Sequence, residues 1–104
     1  MKNLVTYQVK PEHVDENERL VKQVYIQLRE TGIAGFHYAT FKMPDGVTFV
    51  HLAITDNEEA GNAFRNLPVF KTFQSNIGER CDVMPVVNIV TEIGTYNFIE
   101  SFNH

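Results

Sequence analysis

The sequence predicts an α+β fold of the ferredoxin-like kind: elements in the order β-α-β-β-α-β, one antiparallel sheet, and both helices packed on one face of it. Three observations lead there. A β-prone run from Asn3 to Val9 precedes a helical pattern, two β-prone runs flank Pro44-Asp45-Gly46, and a second helical pattern precedes a last β-prone run from Val86 to Ile93. A chain of 104 residues has material for one core and not for two, so residues 1–104 read as a single domain.

The first strand ends at Lys10-Pro11, where proline removes a backbone donor and stops the ladder. Glu12, Asp15, Glu16 and Glu18 then place negative charge at the positive end of a helix. Val14, Val21, Val24 and Leu28, with Leu20 and Tyr25 beside them, recur at helical spacing, and Gly32 is a natural stop.

Phe36 to Ile54 reads as a hairpin, because Pro44 presets φ for a turn and Gly46 accepts a positive φ. A type I turn with a glycine bulge puts Met43 opposite Val47. Phe41 then faces Phe49, Ala39 faces His51, and His37 faces Ala53, with both imidazoles on one side of the sheet. A two-residue loop at Asp45-Gly46 would separate them.

Asp56-Asn57-Glu58-Glu59 reads as a helix cap with an acidic first turn. The helix is expected to break at Asn66-Leu67-Pro68 and restart with Pro68 first, since Phe70, Phe73 and Ile77 then share a face. It ends at Gly78 or just after. The last strand is expected over Val86 to Ile93, continued or bent at Gly94 into Tyr96, Phe98 and Ile99.

Composition narrows the function classes. An apolar fraction of 43% with 21% charged residues belongs to a globular protein. No run approaches the roughly 18 apolar residues of a membrane span, and Met1-Lys2-Asn3 leads into a strand instead of a leader's apolar region, so no membrane partner is expected. A net charge of -4, with nine Lys and Arg scattered along the chain, gives no electrostatic reason to bind nucleic acid. The lone Cys81 excludes an internal disulfide and suits a cytoplasmic location; it reads as an inert apolar residue.

The face of the sheet away from the helices still needs a cover. On the expected register it carries His37, Ala39, Phe41, Phe49, His51 and Ala53, too apolar to leave bare. The same face of a second copy would cover it, making a two-fold homodimer.

Three segments carry a family resemblance: the first strand running into Val9-Lys10-Pro11, the strand Thr48-Phe49-Val50-His51-Leu52, and Leu67-Pro68-Val69-Phe70-Lys71-Thr72-Phe73. In these the chain resembles the dimeric α/β-barrel superfamily and, within it, the antibiotic-biosynthesis-monooxygenase-like group. The resemblance implies two sheets closing into a barrel across a dimer, with a pocket in each subunit between sheet and helices or near the barrel mouth. Members commonly carry a glutamate and a tryptophan late in the third strand. The corresponding positions here are Ala53 and Thr55, and the chain has no tryptophan. The Asn, Trp and His set of the haem-degrading branch is also absent as a set.

Among side chains able to do chemistry, His51 and His37 stand first as catalytic candidates, since imidazole titrates near neutrality and can move a proton to or from an enol, phenol or lactone. Tyr7, Tyr38 and Asn88 could orient a polar ligand, with Phe49 as an apolar contact. Each has a structural alternative: a hydrogen-bonded strand histidine, a tyrosine packed with its hydroxyl at a sheet edge, a dimer contact. A metal site on the two histidines would need a carboxylate such as Glu92, and nothing in the spacing demands one, so no metal is expected. His13 and His104 have no visible partner. Phe64, Leu67, Phe70, Phe73 and Ile77 read as helix-to-sheet core, with room for a pocket where the broken helix packs.

No flavin, nicotinamide or haem motif is present, so no cofactor is expected, and an oxygenase of this kind would draw its electrons from the substrate. Two functions follow from these readings. One is a homodimer binding a small apolar or aromatic molecule. The other is a cofactor-independent monooxygenase or isomerase with His51 as acid/base.

Overall fold

The computed structural model describes residues 1–98, so Ile99, at the end of the expected C-terminal bend, and His104 lie outside the described residues. Four strands form one antiparallel sheet: β1 (Lys2–Val9), β2 (Phe36–Lys42), β3 (Thr48–Thr55) and β4 (Cys81–Val90), in the order β2-β3-β1-β4. Helix α1 (Val14–Thr31) links β1 to β2, after a short 3-10 turn over Pro11–His13. Between β3 and β4 run α2 (Glu58–Arg65), α3 (Pro68–Ser75) and the single turn α4 (Ile77–Arg80). This is the ferredoxin-like topology expected from the order of elements. β4 begins five residues earlier than the Val86 start, immediately after α4, so Cys81 opens a strand instead of closing a helix.

Local chemistry accounts for the helix ends. α1 stops because Gly32 takes a left-handed φ of 67° and its N–H reaches the Leu28 carbonyl at 2.8 Å. α2 starts where the Asn57 side chain accepts the Ala60 N–H at 2.8 Å. Pro68 supplies the first residue of α3, where a missing N–H costs nothing. The face that α1 turns to the sheet carries Leu20, Val21, Val24 and, in their midst, Asn17, all buried. They meet Tyr7, Val9, Phe49, Phe64, Leu67 and Phe73 in one core.

The hairpin register differs from the expected one. β2 pairs with β3 so that Thr40 faces His51, Tyr38 faces Ala53 and His37 faces Ile54, one residue away from the Ala39–His51 pairing. The cause lies in Asp45. Its carboxylate accepts the Val47 N–H at 2.9 Å, the Thr48 N–H at 2.8 Å and the Thr48 hydroxyl at 2.5 Å, while Gly46 N–H closes a turn on the Met43 carbonyl. A side chain thus satisfies donors that a three-residue loop would give to the opposite strand, and Met43 pairs with Thr48 instead of Val47. Because side chains alternate along a strand, this one-residue change sends His37 and His51 to opposite faces.

The sheet therefore sorts its side chains into two sets. Tyr7, Val5 and Asn3 of β1, Phe49, His51 and Ala53 of β3, and Tyr38 and Thr40 of β2 face the helices. His37, Ala39, Phe41, Val50, Leu52, Leu4 and Asn88 face away. Of the six residues expected on the far face, Phe49, His51 and Ala53 are on the helix side for the same reason.

Candidate functional site

β3 delivers His51 into the core beneath α1 and α3, where it is 3% exposed and is gripped at both ring nitrogens. The Tyr7 hydroxyl lies 2.7 Å from Nε2; the Tyr38 hydroxyl and Thr40 Oγ1 lie 2.8 and 2.9 Å from Nδ1. The chain of contacts runs on in both directions. Asn17 Nδ2 donates to the Tyr7 oxygen at 3.0 Å, Arg80 Nε donates to Asn17 Oδ1 at 3.2 Å, and the Tyr25 hydroxyl meets Thr40 Oγ1 at 2.7 Å.

The order of donors orients the Asn17 amide and offers one self-consistent placement of the protons. A guanidinium only donates, so Arg80 holds the Asn17 amide with its oxygen inward and its NH2 toward Tyr7. Having accepted from Asn17, the Tyr7 hydroxyl can give its own proton to His51 Nε2. His51 then carries its hydrogen on Nδ1, facing Tyr38 and Thr40. Burial pushes the His51 pKa down to about 4, which keeps the ring neutral at pH 7 and consistent with that tautomer. Burial likewise raises the Tyr7 and Tyr38 hydroxyls well above their ordinary range, so both stay protonated.

Arg80 is 1% exposed and has no carboxylate partner among the described residues. Its Nη2 donates to the Phe73 carbonyl at 2.7 Å and its guanidinium lies 5.0 Å from the Phe73 ring centre.

A cavity of about 260 Å³ opens beside this network, between the sheet and the α2–α3 pair. Tyr7, Tyr38 and His51 form part of its wall, and the rings of Phe36, Phe64, Phe70 and Phe73 form much of the rest. Ala53, Thr55 and Asn3 line the sheet side; Arg65 and Gln74 stand on the helical side. Gly61 lines it too, with the Arg65 guanidinium 3.2 Å from where a Cβ would stand.

Of the sequence-predicted site residues, the structure brings Tyr7, Tyr38 and His51 together at the cavity. Phe49 is core, its ring stacked on Tyr7 at 5.6 Å, and it does not line the cavity. Asn88 is paired with Leu4 on the far face. His37 lies on that face too, with Nε2 3.4 Å from Asp56 Oδ2. His13 bonds Glu16 at 3.0 Å. Among the described residues no three His, Cys, Asp or Glu side chains cluster so as to hold a metal, and no helix is long and apolar enough to cross a membrane.

Sequence reasoning missed Asn17, Thr40 and Arg80. Asn17 had a signal, a polar residue at the spacing of Val14, Val21 and Val24; Arg80 had none.

A ferredoxin-like sheet with an aromatic-walled cavity and a buried histidine beneath its helices defines the class. A profile of the antibiotic biosynthesis monooxygenase family matches residues 1–76, and the chain belongs to that family. The solved structures agree on the fold. A protein of Mycobacterium tuberculosis superposes with a TM-score of 0.76 at 15% identity, covering 90% of this chain and 95% of that one. A conserved protein of Methanosarcina mazei gives 0.71 at 20% identity, over 84% and 86%. SnoaB of Streptomyces nogalater, a cofactor-independent oxygenase, gives 0.70 at 13% identity, over 93% and 96%. No curated protein matches the chain.

Proposed function

We propose that the protein is a homodimer that binds a small apolar or aromatic molecule in the cavity between its sheet and α2–α3. The observation that carries this reading is the cavity itself, about 260 Å³ walled by four phenylalanine rings with a few polar groups on the sheet side. A dry apolar cavity of about 150 Å³ accepts benzene, so a two-ring compound fits in size. Ala53 and Thr55, standing where the resemblance leads one to expect a glutamate and a tryptophan, both line the cavity and leave it open. The far face of the sheet supports the dimer: Phe41 is 59% and Val86 53% exposed there, unpartnered in one chain.

Titration with naphthalene, followed by its fluorescence, tests the binding reading. Saturable binding at one molecule per chain, lost in an Ala53→Phe variant that keeps its circular dichroism, is the expected result. Equal response from both proteins overturns it.

A second reading rests on the Tyr7–His51–Tyr38 hydrogen bonds at the cavity wall. A neutral His51 can accept at Nε2 the proton of Tyr7 while the Tyr7 hydroxyl takes one from a ligand's C–H or O–H, which makes it the acid/base of an isomerase or of an oxygenase whose substrate supplies the electrons. Deuterium exchange from solvent into 2-tetralone, an enolisable two-ring ketone, tests this. Exchange above the buffer rate that disappears in His51→Gln supports it; a rate equal to buffer with wild type removes it.

A further inference from the structure

We propose that Arg65 reads the charge of the ligand: its guanidinium, at the rim of the cavity, selects aromatic molecules that carry a carboxylate. The proposal rests on the binding reading above and names the class of ligand.

Arg65 is the last residue of α2, exposed to solvent and also part of the cavity wall, so it stands where the cavity meets water. Its head group, and not only its stem, is at that rim. The two terminal nitrogens lie 3.2 and 3.4 Å from the point where a Cβ on Gly61 would stand, and the Thr55 methyl lies 3.5 Å from the same point. Gly61 and Thr55 both line the cavity. One bond holds the guanidinium there, from Nη2 to Asn62 Oδ1 at 2.6 Å. No carboxylate among the described residues pairs with it, so its charge is left for an occupant and its remaining N–H groups can donate to one.

The balance of charge points the same way. The whole chain carries a net charge of -4, yet no Asp or Glu lines the cavity, and with His51 neutral Arg65 is the one ionised side chain among the lining residues. A ligand seated among the rings of Phe36, Phe64, Phe70 and Phe73 thus meets an apolar body and a single cationic end. A carboxylate answers that end best, because the planar fork of N–H donors matches its two oxygens. A ligand amine would meet the guanidinium as a like charge and be turned away.

The test compares 2-naphthoate with its methyl ester, which has the same rings and no charge, on the purified chain and on Arg65→Met. Naphthalene serves as the control for the cavity. Arg65 is exposed and bonds Asn62 on its own helix, so the variant is expected to keep its circular dichroism. The wild type is expected to prefer 2-naphthoate by roughly fivefold to tenfold in low salt, less as sodium chloride is raised, and Arg65→Met to lose the preference while binding naphthalene as before. Equal affinity of the two probes for wild type, or a preference that survives in Arg65→Met, overturns the role of Arg65. Naphthalene binding without a naphthoate preference sinks this inference alone. Failure of all three compounds to bind removes it together with the reading beneath it.

Discussion

The Tyr7 and His51 rings stack 5.2 Å apart with their planes 8° from parallel, and the Tyr7 hydroxyl still reaches His51 Nε2 at 2.7 Å. One pair of side chains on adjacent strands thus contributes packing and also sets a protonation state. The stacked faces exclude water from the imidazole, and the hydroxyl occupies the nitrogen that a second proton would need.

That arrangement makes stability depend on pH. The His51 pKa of about 4 in the folded chain lies below the value of about 6.5 expected when unfolded. Above pH 6.5 both states are neutral and His51 contributes no slope. Between 6.5 and 4 the unfolded chain binds the extra proton, so stability falls as pH falls, by up to about 1.4 kcal/mol per pH unit. Below 4 the loss levels off, at about 3 kcal/mol in all. Urea unfolding of wild type and His51→Gln at pH 7 and pH 5 checks it, because the two proteins share every other group and the difference between them isolates His51. Equal pH dependence would contradict the assignment.

Arg80 and Asn17 should prove strongly coupled. Asn17→Leu removes the acceptor of a buried guanidinium and the donor to Tyr7, and is expected to cost about 2–4 kcal/mol. Arg80→Met takes the charge away, so adding Asn17→Leu to it should cost at least about 1 kcal/mol less than in wild type. A double-mutant cycle by chemical denaturation measures this, and additive costs would show that the two side chains act separately.

The fold was legible because its signals are local. Pro11, Gly32, the Asn57 cap and Pro68 each punctuate the chain through their own backbone chemistry, and the phenylalanines of α3 recur at helical spacing. The candidate site was legible only in part. His51, Tyr7 and Tyr38 were named from residue type, but their meeting depends on a register set by the Asp45 side chain, which no strand pattern records. Arg80 is buried through its bonds to Asn17 of α1 and to the Phe73 carbonyl of α3, which are made only once the helices pack together. Asn88 and Phe49 were placed by strand membership alone, and alternation sends one to the far face and the other into the core.

Asp45 should therefore control the hairpin. The Thr48 hydroxyl, followed by the Val47 and Thr48 N–H groups, holds its carboxyl below the usual carboxylate range. A depressed folded value means that the contribution is present above the unfolded pKa and disappears as pH falls through the folded one. Asp45→Ala is expected to melt at a lower temperature than wild type at pH 7, with the gap narrowing as pH drops below about 4. Thermal melts at pH 7 and pH 3 test it. A gap that does not change with pH would mean that the loop's conformation, and not the charged carboxylate, holds the register.

The far face offers a test of assembly that spares the fold. Phe41, Val50, Thr6 and Val86 are successive cross-strand neighbours, forming one row across all four strands. Phe41 and Val86, at its two ends, are exposed in the single chain. Charging them therefore costs a monomer little, while in a dimer closed through this face each Glu would be buried against apolar surface without a partner. Phe41→Glu combined with Val86→Glu should leave the far-ultraviolet spectrum unchanged and convert a dimer to a monomer in light scattering. A wild type that is already monomeric would overturn the homodimer, and a variant that stays dimeric would place the subunit contact elsewhere. The cavity lies on the opposite face of the sheet, so any naphthalene binding there should survive the dissociation.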